Sequence, residues 1–328
     1  MELRDEVMHE VMGFMASRVT LTAAELDLFT RIDEQPGTVE QIAGRCLLDK
    51  EATGRLLDAV AALGFLDKEK DVYRVTERGR LMSSRHEETV LPMVLHFNYL
   101  WDTWSQLGSI LREGRAGGRK PTTGMNEAAQ AAFIGAMHAI GRDLSLEIAA
   151  VFDGSPFRCL LDVGGASATY TIAFLRKNPG MRAVLFDLDR VIPLARERLE
   201  KEGLLNRVDL VAGDFYRDEL PSGCDLALLS AIIHQNSTEE NIGLYGKTFR
   251  ALDPGGCLLI RDHVMDESRT KPPAGALFAV NMLVNTSSGG TYTFEEIRES
   301  LEKTGFTGVR WLREGERMDS LVQARKPA

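Results

Sequence analysis

The sequence predicts an α/β protein, with a doubly wound, mainly parallel sheet in the C-terminal half behind a mainly helical N-terminal module. Two observations carry this. From Phe157 onward, short apolar runs of strand length alternate with helical segments. Before that, residues 7–150 place apolar side chains at helical spacing, interrupted by a pair of short strand-like runs around a charged turn.

Composition bounds the reading. A chain of 328 residues accommodates two domains, and 44% hydrophobic with 27% charged residues is ordinary for a globular protein. The formal charge of −9 argues against a polyanion as the main partner. No apolar run approaches the roughly 20 residues that cross a bilayer. The opening Met1-Glu2-Leu3-Arg4-Asp5 does not read as a signal peptide. A cytoplasmic protein with no membrane or nucleic-acid partner is expected. Cys46, Cys159, Cys224 and Cys257 are far apart, and Cys159 and Cys257, flanked by apolar residues, read as reduced core thiols. The six histidines show no metal-ligand spacing, so no metal is expected.

The N-terminal elements follow in order. Residues 7–30, with Val7, Val11, Phe14, Met15 and Val19, read as two helices broken near Thr20–Thr22. After the Gln35-Pro36-Gly37 turn, Thr38 caps a short helix with Gln41 at its third position. Lys50–Leu63 forms another helix, ended by Gly64. Phe65-Leu66 and Val72–Thr76 then make a two-stranded wing, and helices followed by a wing give winged-helix order. The helix that would read DNA mixes Lys50 and Arg55 with Glu51 and Asp58 and offers no basic stripe. A module that packs against a second copy is the better reading, with a ligand-sensing DNA-binding regulator as the alternative. Pro92–Leu111 and Ala128–Val151 read as helices around a glycine-rich loop, the first dense in aromatic residues.

In the second half, strands are expected at Cys159–Val163, Ala183–Phe186, Val208–Val211, Leu226–Leu229 and Cys257–Ile260. Helices separate them at Tyr170–Lys177, Arg190–Glu202 and Glu239–Leu252. A last helix over Thr293–Lys303 precedes Val309–Leu312 and Asp319–Ala324, an expected antiparallel edge pair.

The strand ends carry the chemistry. The first ends in Asp162-Val163-Gly164-Gly165-Ala166-Ser167-Ala168, a small-residue turn whose N–H groups can approach a ligand at the switch point of such a sheet. The second ends in Phe186-Asp187-Leu188, which places a carboxylate where a ribose diol would be held, and the third in Gly213-Asp214-Phe215. The fourth runs through Ser230 to Ile232-Ile233-His234, a histidine on the rim where these sheets bind ligands.

From Leu160 to Asp262 these residues, with Leu252-Asp253-Pro254-Gly255-Gly256, resemble the class I S-adenosylmethionine-dependent methyltransferases. With the N-terminal module, the whole chain resembles the O-methyltransferases that act on caffeate, hydroxyindoles and polyketides. The resemblance implies a Rossmann-like catalytic domain over 151–328, a winged-helix-like dimerisation domain over 1–85, and a helical connector over 86–150 that contributes to an acceptor pocket. It implies a homodimer and methyl transfer from S-adenosylmethionine to a hydroxyl of an aromatic or polycyclic small molecule, leaving S-adenosylhomocysteine.

Asp162, Gly164, Gly165, Asp187, Asp214, Phe215 and Ser230 are its expected cofactor residues, His234 the expected general base, and Asp262 its expected partner. Imidazole titrates near neutrality, which suits removal of a phenolic proton. Trp101, Phe133, Met137, Met282 and Asn285 are the candidate acceptor contacts. Alternatives are C- or N-methylation, or a non-methylating reaction with the same cofactor. The chain departs from the family in its turn, where Ala166 and Ala168 replace glycines, a change costing roughly 1 kcal/mol or more wherever φ is positive. It also has Gln235 after the histidine and no carboxylate in Gly289-Gly290-Thr291-Tyr292-Thr293, two places where the family is usually acidic.

Overall fold

The computed structural model describes residues 3–114 and 127–328, and the side chains of 127–133, 135–136 and 138–140 also lie outside the description. The chain divides into two compact units, residues 1–102 with 126–139, and residues 103–125 with 140–328.

The first unit begins with α1 (Leu3–Glu25) and α2 (Leu28–Glu34), followed by α3 (Val39–Cys46) and α4 (Lys50–Ala62). The antiparallel hairpin of β1 (Leu66–Glu69) and β2 (Val72–Val75) comes next, then α5 (Glu77–Arg80). Thr38 and Gln41 form the expected reciprocal cap of α3, and Asp49 caps α4 by accepting from the Ala52 amide at 2.8 Å. Phe29, Ile32, Ile42, Leu57, Val60 and Tyr73 make the core of this unit. The first helix does not break at Thr20–Thr22. The Thr20 hydroxyl bonds back to the Ala16 carbonyl at 3.0 Å, which keeps it inside the helix. The break falls at Leu26–Asp27, where Asp27 takes a left-handed φ of 56°.

The aromatic-rich stretch is likewise two helices, α6 (Leu91–Trp104) and α7 (Leu107–Glu113), and α8 spans Glu127–Val151. The division between the units falls within α6 and α8.

The second unit is built on seven strands in the order β10-β11-β7-β6-β3-β4-β5. In chain order they are β3 (Cys159–Val163), α9 (Thr169–Lys177), β4 (Arg182–Asp187), α10 (Ile192–Lys201), β5 (Val208–Ala212), β6 (Cys224–Ser230) and α11 (Thr238–Ala251). There follow β7 (Leu252–Asp262), β8 (Val264–Met265), α12 (Pro273–Asn285), β9 (Tyr292–Thr293), α13 (Phe294–Lys303), β10 (Thr307–Arg313) and β11 (Ser320–Arg325). Strands β3 to β7 run parallel, whereas β11 lies antiparallel on β7 and β10 closes the edge. Side chains alternate across the sheet, so Leu160, Leu226, Leu228 and Leu259 face one helical layer and Leu161, Ala227, Leu229 and Ile260 the other. Strand order reverses between β3 and β6, and that switch point opens the cleft at the carboxyl edge.

Cys159 is not an isolated core thiol. Neighbouring parallel strands set Cys159 and Cys224 side by side, with Cα atoms 4.6 Å apart, within reach of a disulfide. Cys257 is free and buried, its thiol pushed up to about 12 by burial. Among the described residues no helix is long and apolar enough to cross a membrane, and no group of three His, Cys, Asp or Glu side chains gathers for a metal ion.

Candidate active site

The turn after β3 is shaped by what it cannot hold. Gly164 has φ of +71°, and a Cβ there would stand 2.6 Å from Ile232 and 3.8 Å from the Phe215 ring. A Cβ on Gly165 would meet Leu185 at 2.8 Å and the Asp162 carboxyl at 2.9 Å. Ala166 and Ala168, the substituted positions, both take positive φ, 45° and 63°. The turn therefore keeps the left-handed backbone of a glycine loop and carries strain at two alanines.

Three carboxylates surround it. Asp162 is buried and accepts from the Thr171 hydroxyl at 2.6 Å, and burial pushes its pKa up to about 6. Asp187, at the end of β4, accepts from the Ala166 amide at 2.8 Å and the Leu188 amide at 2.7 Å. Burial raises its pKa while those two amides oppose the rise. The turn and the β4 carboxylate are thus one hydrogen-bonded unit. Asp214 accepts from the Tyr216 amide at 2.9 Å, and this turn holds Phe215 beside Tyr216 with ring centroids 4.5 Å apart. Ser230, at the end of β6, accepts from Arg261 Nε at 2.9 Å. A glycine cradle, a carboxylate locked onto its amides and an aromatic edge beside Gly164 fit an adenosyl group.

On the neighbouring strand end, Ala231 takes φ of 58° and turns the chain into a short 3-10 segment over Ile233–Gln235. This places His234 Nδ1 2.9 Å from both oxygens of Asp262 at the end of β7. Asp262 is fully buried and also accepts from the His263 amide at 2.8 Å. Burial pushes its carboxyl up, but the facing His234, with lesser help from His263 and Arg261, outweighs that and leaves it below the ordinary range. Phe278 on α12 meets the His234 ring edge-on, with centroids 4.9 Å apart.

The candidate acceptor residues divide. Met282 is buried on α12. Asn285 is engaged at both ends of its amide, accepting from the Thr103 hydroxyl at 2.6 Å and donating to Asn281 at 2.9 Å. Trp101 and Met137 belong to the first unit, and the side chain of Phe133 lies outside the described residues.

Sequence reasoning missed the loop that braces the histidine. Gly290 N–H donates to the His234 carbonyl at 2.8 Å, and a Cβ on Gly289 would collide with that same oxygen. The adjoining glycines were the available signal. It also missed the polar chain beneath, in which the Tyr216 hydroxyl donates to Asn236 at 2.6 Å, Asn236 to Asn241 at 3.0 Å, and Asn241 to the Ile233 carbonyl at 2.9 Å.

A doubly wound sheet with a glycine-type turn, a carboxylate on the second strand and a histidine held by a buried aspartate defines a nucleotide-cofactor enzyme with acid–base capacity. The O-methyltransferase domain family matches residues 104–307, and the O-methyltransferase dimerisation domain family matches residues 8–85. The chain is 29% identical over 318 residues to the tetracenomycin polyketide synthesis 8-O-methyl transferase TcmO of Streptomyces glaucescens, covering 93% of this chain and 92% of that one. It is 30% identical over 305 residues to the 3-hydroxy-5-methyl-1-naphthoate 3-O-methyltransferase of Streptomyces sahachiroi, covering 90% and 87%. In fold it is similar to human N-acetylserotonin methyltransferase, solved in complex with SAM, with a TM-score of 0.87 at 23% identity over 100% of this chain and 99% of that one. The chain belongs to the O-methyltransferase family and is an S-adenosylmethionine-dependent methyltransferase.

Proposed function

We propose that this enzyme methylates a hydroxyl of an aromatic or polycyclic small molecule, with His234 as general base. The observation that carries the reading is the His234–Asp262 pair, 2.9 Å at both carboxylate oxygens, with Asp262 buried and the His234 ring partly open at the carboxyl edge of the sheet. Gly164 and Gly165 would admit the methionyl arm of the cofactor, Asp187 would hold the ribose, and Asp214 and Phe215 would border the adenine. Asp162 supports the turn, its carboxyl lying beside Gly165, and Ser230 would line the cofactor site from the end of β6. S-adenosylmethionine, when bound, supplies a methyl group on a sulfonium.

The chain's own residues do the rest. Asp262 accepts from Nδ1–H of His234, which leaves Nε2 as the proton acceptor. Nε2 takes the hydroxyl proton as the acceptor oxygen forms its bond to the methyl carbon. The imidazolium that results faces a carboxylate held ionised by that same contact. Phe278 presents apolar surface beside the histidine and excludes water from that side. The naphthoate and polyketide O-methyltransferases similar to this chain support the acceptor class. Two copies would assemble through residues 8–85, where α1 exposes Val7, Val11, Phe14 and Met15.

Isotope-labelled S-adenosylmethionine offered with a panel of phenols, naphthols and polycyclic hydroxyaromatics tests the reaction. Label should appear in an ether product, and His234→Ala should slow it about 10²- to 10⁴-fold while S-adenosylhomocysteine binding holds. Unchanged turnover in that variant would remove His234 from the mechanism, and label on carbon or nitrogen would redirect the chemistry.

A further inference from the structure

Arg261 stands on β7 as the register partner of Ser230, and only 7% of it is exposed. Its Nε donates to the Ser230 hydroxyl at 2.9 Å and its Nη1 to the Met318 carbonyl at 2.6 Å, and its guanidinium carbon lies 5.0 Å from the centroid of the Tyr170 ring. Its Nη2 makes no hydrogen bond, and the guanidinium no ion pair, among the described residues. Asp262, the next residue, points to the opposite face and is held by His234, while Asp319 pairs with Arg313 at 3.1 Å. A buried cation lacking a paired anion is costly to the folded state.

A second polar group beside it is also unpaired. Tyr170 is 8% exposed, and its buried hydroxyl faces Ser230 without making a hydrogen bond of good geometry among the described residues. Burial pushes the Tyr170 pKa up, so the group remains a neutral donor.

Both groups lie next to the turn after β3. Tyr170 is in the first turn of α9, which leaves that turn, and Ser230 follows Leu229, the register partner of Val163. We propose that Arg261, Tyr170 and Ser230 bind the carboxylate of the cofactor's methionyl arm. A guanidinium presents a planar pair of N–H groups that matches two carboxylate oxygens, and the two hydroxyls supply further donors. The bound anion neutralises the buried guanidinium and satisfies Tyr170. The inference rests on the cofactor placement proposed above.

The test is calorimetric titration with S-adenosylhomocysteine and with its decarboxylated analogue, which keeps the adenosine, thioether and amine. The unaltered enzyme should bind S-adenosylhomocysteine about 10- to 100-fold more tightly, the size of a charge-assisted contact. Arg261→Met should bring the two ligands within about threefold, and Tyr170→Phe should narrow the gap by about threefold, each leaving the analogue's affinity unchanged. Equal binding of both ligands by the unaltered enzyme overturns the proposal, as does full discrimination in Arg261→Met. If Arg261→Met fails to fold by circular dichroism, the unaltered enzyme and Tyr170→Phe decide. Should Arg261→Met keep discrimination but lose affinity for an aromatic carboxylic acid, the carboxylate belongs to the acceptor and the proposal falls. Asp187→Ala should weaken both ligands alike, and no effect on either would defeat the cofactor placement separately from Arg261.

Discussion

Ala166 and Ala168 hold φ of 45° and 63°, a region where a Cβ crowds the following carbonyl. Ala168 is fully buried in the core, so its methyl repays part of that cost by packing. Ala166 is only half-buried and has less to repay it. Ala166→Gly should therefore raise the thermal midpoint by about 1–3 °C, since strain relief of about 1 kcal/mol outweighs the freedom gained by the unfolded chain. Differential scanning at fixed cofactor concentration checks this, and a lowered midpoint would show that the methyl contributes more than it strains. The residue identities in this turn were legible in the sequence, but their φ values were not, because alanine occupies either sign of φ according to the backbone around it. Cys159 and Cys224 failed for a related reason: 65 residues apart, they meet only through strand pairing. Arg261 drew no notice because a lone arginine in an apolar run does not reveal which face it takes.

Elements were legible in proportion to how much of their pattern is local. Strands β3 and β4 lie inside the sheet and read as mostly apolar runs, and they, like the edge strand β5, begin and end within a residue of expectation. The break after α1 was misplaced because a threonine hydroxyl either caps a helix or bonds back within one, and sequence does not distinguish these. The loop over Thr286–Thr293 shows what pattern alone misses. Within it Ser288 donates to Glu240 at 2.7 Å, Gly290 to the His234 carbonyl at 2.8 Å, and the Tyr292 hydroxyl to the Asn236 carbonyl. This loop grips the segment that carries the histidine, at a place where the family usually has an acidic group. A methyl on Gly289 would push the His234 carbonyl outward and tilt the ring from Asp262. Gly289→Ala should lower kcat about 10- to 100-fold, the usual effect of misplacing a reacting group by an ångström, with S-adenosylhomocysteine affinity within about twofold. Steady-state kinetics paired with calorimetry separates the two, and an unchanged kcat would mean the loop does not position the base.

For the whole molecule, the module order was legible because each module has its own periodicity, but the assembly it serves depends on a surface whose partner the sequence does not show. That surface is α1. Leu3, Val7, Val11 and Phe14 follow one another at three- and four-residue spacing, flanked by Met8, Met12 and Met15, and all seven are exposed by 45% or more. Only Leu21, Ala23 and Ala24 of this helix are buried within its own unit. A water-facing strip of this length is unfavourable at roughly 25 cal/mol for each Å² of apolar surface, and a second copy would cover it without adding any new element. Light scattering at micromolar concentration should therefore report twice the chain mass of 36.3 kDa. Paired Val11→Glu and Phe14→Glu substitutions would leave the core of the unit untouched while placing like charges across the seam, and should shift the species toward the single-chain mass. A chain mass of one for the unaltered protein, or a dimer indifferent to both charges, would mean that α1 faces something other than its own copy.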